Sequence, residues 1–101
     1  MFQLVIQFEA SGLQGFDELV ALEASLAELD GLKAEVDGHD AGQGEMNLFL
    51  LSDCPEVAFA QCVPALQASA LRFRGAGFRA LGADAFTRLW PSGSREVFRV
   101  T

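Results

Sequence analysis

The stretch EVDGHDAGQGEMNLFLLSDCPE, residues 35–56, passes through three local signals in succession, and their order decides the fold. Its first part closes an alternating run: from Leu32 to Asp37, Ala34 and Val36 share one side while Lys33, Glu35 and Asp37 share the other. An exposed edge strand has this pattern. Gly42-Gln43-Gly44 then marks a turn, with His39 and Asp40 as polar residues of a glycine-rich hairpin. Glu45 to Ser52 follows as a richer strand, in which Met46, Leu48 and Leu50 face one way and Asn47, Phe49 and Leu51 the other. Apolar residues on both faces predict a central position. Asp53-Cys54-Pro55-Glu56 opens a helix, because proline in the first turn lacks only an N–H that would be unpaired there.

Strand, strand and helix in the middle of the chain are matched by similar signals on either side. Upstream, Phe2, Leu4, Ile6 and Phe8 alternate with Gln3, Val5 and Gln7, predicting a strand over 2–8. Residues 11–15 read as a loop. From Phe16 to Leu29 the leucines at 19, 22, 26 and 29 keep helical spacing, with Asp17 and Glu18 in the first turn and Asp30-Gly31 as the stop. Downstream, the second helix carries Val57, Phe59, Val63, Leu66 and Leu71, is expected to continue through Pro64 with a kink, and ends at Gly75-Ala76-Gly77. Residues 78–81 form a fourth strand. The tail, with Phe86, Leu89, Trp90, Phe98 and Val100, is expected to add a hairpin around Pro91-Ser92-Gly93-Ser94.

The resulting order, βαββαβ with a C-terminal β extension, is an α+β pattern of the ferredoxin-like type: an antiparallel sheet with both helices on one face. A chain of 101 residues, half of them hydrophobic and nine of them Phe, has room for one domain, 1–101, and material for one core. The segment Gly38-His39-Asp40-x-Gly42-x-Gly44-Glu45-x-Asn47, followed by the apolar strand and Asp53-x-Pro55-Glu56, resembles small bacterial ferredoxin-like proteins of unassigned function. That resemblance implies a fold and carries over no catalytic residue.

Several functional classes are excluded by chemistry. The chain carries a formal net charge of −7, which repels nucleic acid. Residues 1–56 hold twelve acidic residues against Lys33 alone, and residues 57–101 six arginines against Asp84 and Glu96. No stretch has membrane-spanning length, and the first residues lack the basic start of a signal peptide, so a cytoplasmic protein is expected. Cys54 and Cys62, eight apart on one helix, stand ~12 Å from each other. A disulfide needs Cα atoms within about 7 Å. With neither a CxxC pair nor a Cys/His cluster, no metal or other cofactor is expected. Gly42 and Gly44 precede a strand rather than a helix, which rules out a P-loop or dinucleotide-binding turn. A calcium loop starting at Asp37 would place His39, Ala41 and Leu48 where oxygen ligands are required.

Three candidate sites remain. His39, the only histidine, has Asp37, Asp40 and Glu45 near it in sequence, and a small enzyme would use it with one of them as general acid or base. Val5, Gln7, Asn47, Phe49 and Leu51 fall on the outward sheet face, where apolar groups beside amides suit a small ligand or, with the stronger prior, a homodimer contact. Arg72, Arg74 and Arg79 form a candidate anion site. The sequence favours an interaction module, dimeric and with an acidic surface suited to a basic protein or a small ligand, over the enzyme.

Overall fold

The computed structural model describes residues 1–9, 12–42 and 44–90. Its elements are β1 (Phe2–Glu9), α1 (Gly12–Ala27), β2 (Glu35–Gly42), β3 (Glu45–Ser52), α2 (Pro55–Ala68), β4 (Phe73–Ala80) and β5 (Thr87–Trp90). The five strands form one antiparallel sheet in the order β2-β3-β1-β4-β5. The chain is therefore a mixed α+β fold.

Period-2 alternation in β1 sends Leu4, Ile6 and Phe8 into the main core, where they meet Met46, Leu48 and Leu50 of β3, Leu19, Leu22 and Leu26 of α1, and Ala58, Cys62 and Leu66 of α2. Both helices thus cover the same face of the sheet. Val5 is equally buried but stands apart from that cluster, on the other face. Pairing is continuous from Phe2↔Ser52 to Glu9↔Glu45, so the β1–β3 register is the one in which all three core residues of β1 meet those of β3.

Several boundaries differ from the sequence expectation. Helix α1 begins at Gly12 rather than Phe16, which moves Asp17 and Glu18 beyond its first turn, and it ends at Ala27, leaving Leu29 exposed in the following loop. Strand β2 runs over 35–42 instead of 32–37, so His39 and Asp40 belong to the strand and not to the turn. A register shift between Val36 and Gly38, with Gly38 at φ +134°, lets the strand continue past Asp37. Helix α2 continues through Pro64 but stops at Ala68.

The buried row of α2 is Ala58, Cys62 and Leu66, at i, i+4 and i+8, while Val57 is exposed. Small residues at Ala58 and Cys62 are compatible with close approach of the helix to the sheet. Gly75-Ala76-Gly77, expected to terminate that helix, lies buried inside β4, which spans 73–80 rather than 78–81. Pairing with Gln7, Ile6 and Val5 holds this glycine-rich segment extended, against its own weak strand propensity. Strand β5 supplies the expected C-terminal extension. The hairpin around Pro91–Ser94, with Phe98 and Val100, lies outside the described residues.

Candidate functional site

The face of the sheet opposite the helices is built in cross-strand rows. Asp40, Asn47, Gln7 and Gly75 face one another across β2, β3, β1 and β4. Asn47 donates from Nδ2 to Asp40 Oδ1 at 2.9 Å and to Glu45 Oε2 at 3.0 Å. Gln7 Nε2 donates to the same Glu45 oxygen at 2.9 Å and to Asn47 Oδ1 at 3.1 Å. Glu45, Asn47 and Gln7 are all buried, whereas Asp40 is exposed. Two amides thus supply the N–H donors that a buried carboxylate requires, and they link it to a second carboxylate at the surface.

The next row is apolar. Gly38 pairs with Phe49, Phe49 with Val5, and Val5 with Gly77. The third joins Leu51, Gln3 and Arg79, with Arg79 Nε donating to Gln3 Oε1 at 2.9 Å and the guanidinium 5.0 Å from the Phe86 ring centre. All five outward residues expected from the sequence, Val5, Gln7, Asn47, Phe49 and Leu51, therefore stand on one face. Val5, Gln7 and Asn47 are already buried within the single chain, leaving Phe49 and Leu51 half-buried.

His39 stands on the opposite side of β2, because successive side chains of a strand alternate. Its Nδ1 lies 2.8 Å from Glu23 Oε2 of α1, and the Phe16 ring meets it edge-on at 5.3 Å. The structure brings Asp40 and Glu45 together through Asn47 and separates both from His39. Its carboxylate partner is Glu23, sixteen residues away in the chain and outside the neighbours Asp37, Asp40 and Glu45 expected from the sequence. The available signal was the seven-residue spacing of Phe16 and Glu23, which puts both on one helix face.

Arg72 and Arg79 have separate partners. Arg72 pairs with Glu9 at 3.3 Å, with both side chains exposed, and Arg74 makes no ion pair among the described residues. Arg79 is engaged with Gln3, with the Ala83 carbonyl and with Phe86. Seven positions of extended chain put Arg72 roughly 20 Å from Arg79.

A feature absent from the sequence reading is an apolar groove of about 320 Å³ between α2 and the β4–β5 edge, lined by Phe59, Val63, Leu66, Gln67, Phe73 and Trp90. Trp90 stacks on Phe73 with ring centres 5.9 Å apart, and Phe59 lies 6.1 Å from the same ring. These residues converge only when β5 pairs with β4. Cys62 is buried beside them in α2, and burial pushes its thiol pKa from the ordinary 9.0 up to about 11.

Among the described residues, no group of three or more His, Cys, Asp or Glu is placed to hold a metal ion, and no helix is long and apolar enough to cross a membrane. In comparisons with known proteins, no family model, curated protein or solved structure matches the chain.

Proposed function

We propose that the chain is a non-catalytic binding module of ferredoxin-like type that engages a basic protein partner. The fold part of this proposal is supported by the neighbours β2-β3-β1-β4, with α1 linking β1 to β2 and α2 linking β3 to β4, and with β5 added beyond β4. The functional part is carried by one observation, the segregation of charge across the sheet. Edge strand β2 exposes Glu35, Asp37 and Asp40, while Arg72, Arg74, Arg79 and Arg88 lie in or beside β4 and β5 at the other edge. Such a field steers a cationic partner to one side of the molecule. Calorimetric titration of the whole chain against basic and acidic proteins of similar size tests it. Binding of basic proteins alone, weakening steeply with salt, is expected; binding of neither class refutes the reading.

The enzymatic alternative draws support from the His39–Glu23 pair. A carboxylate that fixes Nδ1 leaves Nε2 for proton transfer. His39→Gln separates the two readings: an enzyme loses turnover, whereas the binding module keeps its affinity for a basic protein. A cytoplasmic setting belongs to the same proposal, and two free cysteines suit a reducing compartment.

A further inference from the structure

We infer that the side of the molecule formed by α1 and β2 docks an extended, basic segment of another protein that carries an apolar anchor residue. The inference rests on the reading of the chain as a binder of basic partners, and it names the surface and the shape of what binds there.

Strand β2 is an edge of the sheet, so one of its flanks has no neighbouring strand in the five-stranded order. Glu35, Asp37 and Asp40 are exposed along it, and Glu35 and Asp37 make no ion pair or side-chain hydrogen bond among the described residues. Lys33 is the only Lys or Arg in residues 1–56. Beside this edge, α1 exposes Phe16 and Val20, one helical turn apart, with 38% and 41% of their surfaces open. Phe16 is tied to the same edge by its contact with His39, and Asp17 next to it is exposed as well. Glu35 and Asp40 stand on the sheet face away from the helices and Phe16 and Val20 on the helix side, so an extended segment along the β2 edge, its side chains alternating between the two sides, meets acidic groups on one and apolar groups on the other.

Charge complementarity identifies the occupant. Lysines or arginines on an incoming segment answer Glu35, Asp37 and Asp40, and one aliphatic or aromatic side chain answers Phe16 and Val20, so that apolar contact adds affinity to electrostatic steering. A second copy meeting this side through the same surface would set carboxylates against carboxylates. The bulge at Asp37 and the acidic residues also blunt the edge against pairing with itself.

Fluorescence anisotropy with a labelled nonapeptide, Thr-Lys-Leu-Lys-Thr-Lys-Val-Lys-Thr, tests the surface on the whole chain. Saturable binding is expected, at least tenfold weaker for the Glu35→Lys/Asp37→Lys variant and for Val20→Ser, and unchanged for Arg74→Glu at the far edge. Replacing Leu and Val of the peptide by Thr, at constant charge, should weaken it by a similar factor. Circular dichroism and the emission of Trp90, the single tryptophan, verify that each variant is folded.

Equal affinity of wild type and the α1/β2 variants overturns the assigned surface while leaving the binder reading intact. No saturable binding of the peptide, together with no binding of basic proteins, overturns both. Self-association that disappears in Arg72→Glu/Arg74→Glu and returns when Glu35→Lys/Asp37→Lys is added assigns the surface to a second copy and refutes the proposed partner.

Discussion

Asn47 holds the outward polar network together, because its one amide donates to carboxylates on two strands and accepts from Gln7 on a third. Asn47→Leu keeps the branched shape and heavy-atom count but removes donors from a buried carboxylate. A loss of about 1–3 kcal/mol in urea unfolding is expected, and no change would mean that the network adds nothing to stability. Cys62 makes a pH-dependent contribution whose sign follows from burial. Its folded pKa, about 11, exceeds the ordinary 9.0, so the protonated thiol is favoured by the fold. That stability is complete below pH 9 and declines as pH rises from 9 through 11. The total is on the order of 2–3 kcal/mol. Unfolding midpoints between pH 8 and 11 should fall accordingly in wild type and flatten in Cys62→Ala. At this scale the sequence was only partly informative. Asn47 was legible as an outward residue from alternation alone, whereas Glu23 became the partner of His39 only through packing of α1 on β2.

The β2–β3 hairpin turns on Gly44, whose φ of +79° lies in the left-handed region. A Cβ there would meet no atom within 4 Å, so Gly44→Ala is strained by backbone conformation alone. It should cost about 1–2 kcal/mol, and Gly44→Asn less, by thermal unfolding. Among the elements, β3 was legible to the residue, Glu45–Ser52, because a strongly apolar run has little freedom in where it starts and stops. β4 was not. Arg74-Gly75-Ala76-Gly77 has no local strand signal, and its conformation is imposed by β1, against which all but its bulged residue pair. In α2 the buried row includes the small residues Ala58 and Cys62 beside Leu66, which side-chain size alone does not single out in the sequence.

The whole molecule places β1 and β3 between other strands, with β2 and β5 at the edges. Amide exchange should be slowest at residues 3–7 and 47–51 and faster in β2 and β5, since central strands open last; rapid exchange in β1 would contradict this sheet order. Assembly is a separate question. We expect the chain to dimerise through Phe49 and Leu51, the half-buried residues of the outward face, and Phe49→Glu to yield a folded monomer because it puts a charge into an apolar contact. Sedimentation of the wild type as a monomer at micromolar concentration would remove this expectation. The sequence by itself determined the succession of strands and helices, the core residues of β1 and β3, and the acidic character of the first half, since periodicity and charge are local properties of the chain. Tertiary structure alone decided that His39 faces Glu23 while Asp40 faces Asn47, that the three arginines are spread along and just before β4, and that Phe59, Phe73 and Trp90 enclose a groove. Those outcomes depend on which strands pair and where helices rest on the sheet, and contacts between residues distant in sequence leave no periodic trace in it.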